Sequence, residues 1–336
     1  MKKILLATTM LAGTAGFAAA EVAISGYAEI GVIKADAGFA GSTELQFHQD
    51  IEVTFSMSGE TDSGLSFGAK IDLDETNVAA LDDSGTTVFV SGAFGKMTMG
   101  DTDGALDWAV QDAGSLTSMG DDHTTHIAYF AANGLDGSGD GQIVRYEYSM
   151  GDFGVALSYE QADNGVDVRN NEDNVGIGAT YSMDMNGTAV KIGLGYQTGM
   201  VARSVSDDPD TVGPIADPIF AATGDVVGLS VGVDLASGFS AVLGYTSTSI
   251  DAVNDITGET ISQTGLGLTY TSGPLAVTMN YGVVDAGAID GNTDSYGLAA
   301  NYDLGGGAVV MVGYGSDVTG APGNQSQWSA GLGLSF

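Results

Sequence analysis

Residues 44–58, with the sequence ELQFHQDIEVTFSMS, show the pattern that decides the fold. Apolar residues occupy the odd positions of this stretch and polar or charged residues the even positions, with Gln49 as the one polar exception on the apolar set. A period of two predicts a β-strand with one apolar and one polar face. The alternation runs much longer than the about 5 to 6 residues of an ordinary strand.

The same alternation returns along the rest of the chain, for example in residues 65–73, 143–150, 226–235 and 275–283. Short connections such as SGETDSG, GAFG and GDFG alternate with long ones at residues 35–43, 101–141, 198–224 and 248–259. Short turns at one end and long loops at the other are typical of strands that each cross a layer and reverse. The pattern predicts about sixteen such strands.

The first twenty residues, MKKILLATTMLAGTAGFAAA, have a different character. Lys2 and Lys3 precede a short apolar run, which ends in small residues. This order is typical of a cleavable secretory signal. We therefore expect residues 1–20 to be a signal peptide and residues 21–336 to be the mature protein. After this segment there is no apolar run long enough for a membrane-spanning helix, so a helical membrane protein is excluded.

The composition excludes several other classes of protein. The chain has 43 Asp and Glu against 9 Lys and Arg, a formal net charge of -34, and the loss of Lys2 and Lys3 would take it to -36. A chain this acidic repels nucleic acid. There is no cysteine, so disulfides do not stabilise the fold. The hydrophobic content of 43% is too high for a disordered chain.

The closing stretch WSAGLGLSF, residues 328–336, indicates where the apolar faces lie. Trp328 and Phe336 share one face and are separated by about 26 Å of extended chain. On a tilted strand they would approach opposite edges of an apolar band about 25 Å tall. A sheet inside a bilayer must pair all of its backbone groups and therefore close. The sequence thus predicts an all-β, transmembrane antiparallel β-barrel.

Closure requires the last strand to pair with the first, EVAISGYAEIGVIK at residues 21–34. We expect the glycines of the last strand to leave the lumen open. We also expect the carboxylate of Phe336 to meet Glu21 at the start of the mature chain.

Three stretches closely resemble the general porins of the Rhodobacter group, which are outer-membrane proteins of α-proteobacteria. They are FSMSGETDSGLSFGAK at residues 55–70, TTVFVSGAFGKMTMGD at 86–101 and SYGLAANYDLGGGAVVMVGYG at 295–315. The resemblance runs along most of the mature chain. It implies a homotrimer of sixteen-stranded barrels among the lipids of a Gram-negative outer membrane, through which small hydrophilic solutes and ions diffuse. It also implies that assembly machinery recognises Phe336.

The resemblance further implies that the loop after the fifth strand folds into the lumen and narrows it. That loop begins near Asp101 and is the longest connection in the chain, and such length by itself indicates function. The acids that we predict to line the constriction are Asp103, Asp107, Asp112, Asp121 and Asp122.

In the family these acids face a cluster of arginines, part of which lies on the second strand. This chain has Asp50 and Glu52 at the corresponding places, and Lys70, Arg145 and Lys191 remain as predicted wall cations. Fewer cations on the wall leave the lumen more negative. The sequence therefore predicts a pore that prefers cations.

Metal binding by the acidic loop stays open. The segment DGSGDG at residues 136–141 is similar to part of a calcium loop, but no calcium-binding repeat follows it. The segment HTTH at residues 123–126 supplies two imidazoles, whereas zinc needs three or four ligands in a defined frame. The predicted channel requires no cofactor, and binding of Ca²⁺ by the loop acids is left open.

Catalysis has little support, because the chain has three histidines, no cysteine and no G-x-S-x-G motif. Two alternatives to a channel remain: an exported acidic β-protein stabilised by calcium at the cell surface, and a barrel hydrolase with a serine and a histidine at its outer rim. The leading hypothesis is a passive diffusion channel without enzymatic activity.

Overall fold

The structure is a computed structural model, and it describes residues 21–35, 44–74, 85–114, 116–120, 128–162, 168–169, 172–205, 219–251, 258–286, 292–319 and 326–336. The predicted signal peptide, residues 1–20, lies outside these ranges and stays a prediction.

Nearly all of the regular structure is β-strand, as the period of two predicts. The strands are β1 Glu21–Ala35, β2 Gln46–Glu60, β3 Ser66–Asp74, β4 Thr86–Gly92, β5 Gly95–Gly100, β6 Ile143–Met150, β7 Phe153–Glu160, β8 Val168–Arg169, β9 Asn174–Met185, β10 Thr188–Val205, β11 Ile219–Leu235, β12 Phe239–Ile250, β13 Glu259–Ser272, β14 Leu275–Asp285, β15 Asn292–Gly305, β16 Ala308–Thr319 and β17 Ser326–Ser335. One short helix, α1 at Ala105–Ala109, follows β5. In the described part of the chain, no helix has the length and apolar character needed to cross a membrane.

Sixteen of these strands form one closed antiparallel sheet. Consecutive strands pair with each other, and β7 pairs directly with β9 because the two-residue β8 lies outside this order and pairs in parallel with β11. The last strand returns to the first, with Tyr27 opposite Ser335 and Ala35 opposite Gln327. The predicted sixteen-stranded barrel is confirmed.

The two chain ends meet differently from the prediction. The N–H of Phe336 donates to the carbonyl oxygen of Gly26 at 2.8 Å, and the N–H of Gly26 donates back at 3.2 Å. Glu21 lies five positions earlier on β1 and is opposite Ser58 of β2. The prediction that the Phe336 carboxylate meets Glu21 was wrong, because tilted barrel strands are staggered and β1 extends beyond the end of β17.

The apolar side chains face outward. On β7 the outward residues Phe153, Val155, Leu157 and Tyr159 are 38–57% exposed, whereas the inward residues alternating with them are buried. Gln49, the polar exception on β2, is also exposed on the outward face. An exterior of large apolar side chains is the arrangement that a lipid-facing barrel requires.

Aromatic side chains gather at both ends of this apolar band. At the short-turn end the Phe153 and Tyr181 rings lie 4.5 Å apart, as do those of Phe239 and Tyr270. At the long-loop end Tyr314 lies opposite Trp328 on the neighbouring strand. Such girdles mark the two membrane interfaces, and the outward Trp328 and Phe336 lie at opposite ends, as expected.

The hydrophobic core lies in the lumen rather than between two sheets. It is formed mainly by residues that follow β5 and precede β6, together with the inward Val226 of β11. The other buried members of this cluster are Leu106, Val110, Ala113, Phe130, Ala132 and Leu135.

Candidate pore constriction

The segment between β5 and β6, residues 101–142, is called the third loop below. It turns into the barrel, and its helix α1 packs against the inner faces of β7, β9 and β10. Ala105, Leu106 and Ala109 of α1 are completely buried there. The predicted inward path of the third loop is confirmed.

Inward glycines of the barrel wall make room for this loop. A Cβ at Gly195 of β10 would lie 2.7 Å from Cγ of Leu106, and a Cβ at Gly178 of β9 would lie 2.9 Å from Cβ of Ala109. Real Cβ atoms do not approach so closely, so only glycine permits the loop to lie this near to the wall. Further inward glycines under the loop are Gly193, Gly228, Gly265, Gly267 and Gly282.

The glycines of the last strand also have covered faces. Met119 of the third loop lies over Gly331, and the ring of Tyr27 lies over Gly333. The expectation that these glycines leave the lumen open was wrong. Small residues on the wall are instead covered by larger neighbouring side chains, which the alternation pattern alone does not reveal.

Inward serines bind the backbone of the loop. The N–H groups of Ala105, Gln111 and Ala128 donate to the Oγ atoms of Ser158 at 2.9 Å, Ser230 at 2.8 Å and Ser295 at 2.8 Å. These serines lie on β7, β11 and β15 and are buried. The alternation pattern predicts that such serines face the lumen, but not that they bind the loop. Their only signal was a position on the inward parity of a strand.

Two inward side chains fix the returning arm of the loop. Glu160 of β7, 2% exposed, accepts hydrogen bonds from the N–H groups of Gly139 at 2.9 Å and Gly141 at 3.0 Å. Gln197 of β10, also 2% exposed, accepts from the Leu135 N–H at 2.8 Å. Both residues were absent from the sequence prediction. Each satisfies loop N–H groups that burial would otherwise leave without a partner.

The predicted loop acids do not all lie together. Asp103 and Asp107 border a cleft of about 300 Å³, which three further acids share. Asp112 instead accepts a hydrogen bond from the Ala132 N–H at 2.9 Å and so joins the two arms of the loop. Asp121 and Asp122 lie outside the described residues. The additional acids of the cleft are Asp101, Asp136 and Asp140.

Crowding and burial keep two of these carboxyl groups partly protonated near neutral pH. Burial, reinforced by the charges of Asp103, Asp112 and Asp136, raises the pKa of Asp107 to about 7, although Arg145 opposes the shift. Burial likewise raises the pKa of Asp136 to about 6, against hydrogen bonds from the Gly104 N–H and the Gln197 side chain. The negative charge of the cleft therefore decreases as the pH falls through this range.

The predicted wall cations Lys70 and Arg145 face the lumen and have acidic neighbours. Lys70 Nζ lies 2.7 Å from Asp72 Oδ2. Arg145, 7% exposed, donates through Nη1 to the backbone oxygen of Asp103, and Nη1 lies 3.7 Å from the Asp103 carboxylate. Arg145 thus joins the wall to the loop rather than presenting a free charge.

The sequence matches the family described as Gram-negative porin over residues 7–321. A porin of Rhodobacter capsulatus is 32% identical over 308 residues, which cover 87% of this chain and 93% of that protein. The chain belongs to the Gram-negative porin family. As a member of that family with a sixteen-stranded barrel, it is a multi-pass outer-membrane protein.

Solved porin structures agree with this porin in fold. A porin structure refined at 1.8 Å resolution superposes with a TM-score of 0.68 at 24% identity and covers 94% of this chain and all of that one. A triple mutant of Rhodopseudomonas blastica porin gives 0.59 at 20% identity with the same coverage. At these identities the agreement concerns the fold alone.

Lys191 of the porin faces the lumen from a different place than Lys70 and Arg145. It lies on β10, the wall that carries the third loop, and the Gln111 side chain donates to its backbone oxygen at 3.2 Å. Its cleft of about 330 Å³ is also lined by Asp152, Asp184 and Asp234. Lys191 therefore contributes charge beside the loop rather than opposite the acids.

The predicted acids of the second strand also lie on the inner face of the porin barrel. Asp50 is 6% exposed and lies opposite Glu29 of β1, and Glu52 lies opposite Tyr27. The sequence analysis also did not identify Phe89, which faces the lumen. The centroid of its ring lies 5.3 Å from Lys96 Nζ, in the range of a cation–π contact. Lys96 is in turn 3.4 Å from Glu147.

Within the described ranges of the porin, no three carboxylate or imidazole side chains are grouped closely enough to hold a metal ion. The histidines of HTTH, His123 and His126, lie outside those ranges. Calcium binding by the loop acids therefore stays a prediction.

Proposed function

We propose that this porin forms a water-filled channel through which small hydrophilic solutes and ions diffuse passively, with a preference for cations. The observation that carries the charge preference is the acidic cleft of the third loop. Five aspartates border it, while its neighbouring guanidinium, that of Arg145, is already engaged by Asp103 and Glu147. Cations entering the narrowed lumen are attracted by the excess of carboxylates.

Neutralisation of two wall lysines, on β3 and β5, supports the same preference. Lys70 and Lys96 each lie within 4 Å of a carboxylate, namely Asp72 and Glu147. A paired cation projects a weaker field into the lumen than a free one. Among the described wall residues, Lys70 and Lys96 therefore add little positive field that would attract anions.

The direct test is single-channel conductance in a planar bilayer, followed by the reversal potential across a salt gradient. We expect conductance and a potential of the sign given by cation flow. At pH 8, above the pKa of about 7 of Asp107, replacing Asp103 and Asp107 by Asn removes two charges from the cleft and shifts the potential toward zero. The matched control, Asp62→Asn with Asp303→Asn, removes two acids from the short-turn end and leaves the potential near the wild-type value. An anion-selective wild type would refute the charge preference, and a protein without conductance would refute the channel.

We propose that the porin conducts as a homotrimer, because two of its strands are too short to span the apolar part of the membrane. Strands β4 and β5 have 7 and 6 residues. At about 3.3 Å per residue and a tilt of about 45° they rise only about 14–16 Å, against an apolar band of about 25 Å. Outward Val88 and Met99 on these strands are more than half exposed. A neighbouring subunit would cover them.

Electrophoresis in detergent tests the assembly. Unheated samples should migrate as trimers and boiled samples as monomers, and Val88→Arg with Met99→Arg should abolish the trimer band. The outward pair Leu266→Arg with Leu268→Arg, on β13 far round the barrel from this wall, is the matched control. Equal loss of the trimer in both variants would contradict the proposed interface.

The outer-membrane assembly machinery and membrane lipids are further proposed partners. Phe336 supports the first, because its ring is 67% exposed at the end of the closing strand and is accessible to another protein. Deleting Phe336 should slow insertion into outer membranes much more than insertion into pure lipid vesicles. An equal effect in both systems would indicate a purely structural role.

We also propose that conduction needs no cofactor. Addition of a calcium chelator should leave conductance unchanged, because hydrogen bonds from Ser158, Ser230 and Ser295 already hold the third loop. Loss of conductance on chelation, restored by Ca²⁺, would instead assign a structural calcium to the loop. The family match disfavours the calcium-stabilised surface protein considered as an alternative.

A further inference from the structure

The third loop reaches the seam where the barrel closes. Ser118, Met119 and Gly120 lie on the inner side of β16, β17 and β1, and β17 and β1 are the last and first strands of the sheet. Ser118 and Met119 are each 1% exposed. These three residues are called the loop tip below.

Met119 occupies a notch made by two glycines that face each other across the seam. Gly31 of β1 lies directly opposite Gly331 of β17. A Cβ at Gly31 would lie 2.9 Å from Cε of Met119, and one at Gly331 would lie 2.7 Å from it. Either Cβ would also crowd the backbone of the partner strand. The notch therefore exists only where the first and last strands are paired.

Polar groups on both sides of the seam bind the loop tip. On β1, Glu29 Oε2 accepts a hydrogen bond from the Gly120 N–H at 2.6 Å. On β17, Ser329 Oγ accepts from the Met119 N–H at 3.4 Å. The loop backbone is thus held by one residue from each end of the chain.

Glu29 is itself held in place. Glu29 is 3% exposed. Its Oε1 accepts a hydrogen bond from the Tyr27 hydroxyl at 2.8 Å, and its Oε2 lies 3.1 Å from His48 Nε2. A buried carboxylate is stable only when such partners replace water. The contacts fix its orientation toward Gly120.

We propose that the loop tip is an internal clasp across the β1–β17 seam, and that Glu29 is the positioning residue that fixes the far end of the constriction. This inference rests on the proposed channel function for its consequence in conductance. It adds that the seam and the constriction stabilise each other. Because half of the seat belongs to each end of the chain, the loop tip docks only after the barrel has closed.

Two variants test the clasp, each with a matched control. Glu29→Gln removes the charge that binds Gly120, and Glu21→Gln makes the same change elsewhere on β1. Met119→Ala empties the notch, and Met279→Ala shortens an outward methionine on β14 that is 46% exposed. A charged hydrogen bond of ordinary strength predicts a rise of roughly tenfold or more in the undocked population of the loop tip for Glu29→Gln.

The readouts are open-channel current noise and the temperature at which the heated barrel changes its mobility on a detergent gel. Both clasp variants should increase the noise and lower this temperature, while both controls should match the wild type. If noise and temperature stay unchanged in the clasp variants, the proposal is overturned. Greater noise without a lower temperature also overturns it, since the seam would then not depend on the loop.

A cross-link covers the case in which a variant fails to assemble. The chain has no cysteine, so Ser118→Cys with Ser329→Cys introduces the only pair. Their hydroxyls lie 2.7 and 3.3 Å from the same point, the Cβ position of Gly313. Oxidation should join them in the folded barrel and suppress the extra noise of Glu29→Gln. Failure to cross-link would refute docking at the seam. The cross-linking experiment does not measure conductance, so its result is independent of the channel proposal.

Discussion

Asp107 illustrates how one side chain can make the cleft charge depend on pH. It lies in α1, beside Asp103, Asp112, Asp136 and Arg145. Burial and three neighbouring carboxylates outweigh one guanidinium and raise its pKa to about 7. Asp136, with a pKa of about 6, titrates in the adjoining range. Both groups carry a full negative charge only above these values.

Cation preference should therefore decline on acidification from pH 8 to pH 5. A carboxyl group is charged above its pKa and neutral below it, so the cleft loses Asp107 first and Asp136 next. The measurement is the reversal potential at a fixed salt gradient as a function of pH. Asp107→Asn should flatten the upper part of the curve, whereas Asp62→Asn should leave its shape unchanged. A flat wild-type curve would contradict the role of these two groups.

The raised pKa of Asp107 also makes the stability of the folded protein depend on pH. The direction is opposite to that for an acid in a salt bridge, whose pKa is lowered. A raised folded-state pKa means that Asp107 favours the folded protein below its unfolded value of 3.8 and loses that contribution as pH rises through about 7. Asp107→Asn should thus stabilise the loop at pH 8 and have little effect at pH 4. Protease resistance of the third loop at the two pH values measures this.

Gly195 is a second residue at which one atom matters. An added Cβ would overlap Leu106 of α1, so Gly195→Ala should displace the helix and cost about 1–3 kcal/mol by overpacking. The unfolding temperature on a detergent gel checks the cost, with Ala179→Val on the outward face of the neighbouring β9 as the control. Equal stability of Gly195→Ala and wild type would show that α1 moves freely on the wall.

At the scale of the element, the third loop is stabilised by wall hydroxyls as much as by its own packing. A buried N–H that loses its partner costs about 1–3 kcal/mol. The triple variant Ser158→Ala, Ser230→Ala, Ser295→Ala should therefore loosen the loop without opening the barrel. Hydrogen exchange of the Ala105, Gln111 and Ala128 amides should accelerate. The exposed outward Ser249→Ala is the control, and unchanged exchange would mean that the serines do not hold the loop.

The strands were predictable from sequence because a lipid exterior and a polar interior impose a period of two on every strand. Residues 44–58 show this directly, and the inward facing of Asp50, Glu52, Lys70 and Arg145 follows from the same parity. The path of the third loop was less predictable. Its contacts join residues far apart in sequence, such as Gln111 and Ser230, separated by 119 positions. A serine or glycine that binds a loop has the same local pattern as one that faces water.

The contact between the two chain ends was also only partly predictable from the sequence. Pairing of the last strand with the first follows from closure, but the stagger that brings Phe336 to Gly26 depends on the tilt of all sixteen barrel strands. The total stagger around the barrel cannot be predicted from any short stretch of sequence. The position of Lys191 beside the loop, rather than opposite it, depends equally on the loop's path.

For the molecule as a whole, selectivity should depend on salt concentration. The Debye length falls from about 10 Å at 0.1 M to about 3 Å at 1 M. At a constant concentration ratio, the reversal potential should thus approach zero as both solutions become more concentrated. Asp103→Asn with Asp107→Asn should show a smaller change. A wild-type potential independent of concentration would indicate selection by contact rather than by the field of the cleft.

The glycines beneath the third loop have a consequence for how the bore of such a channel is adjusted. Gly178, Gly193 and Gly195 lie behind α1, against the barrel wall. Any side chain placed there pushes the loop toward the axis, so the aperture is set by volumes that a passing solute never touches. A family of channels with graded apertures could thus arise, or be engineered, by wedging the loop from behind while its water-facing surface stays the same.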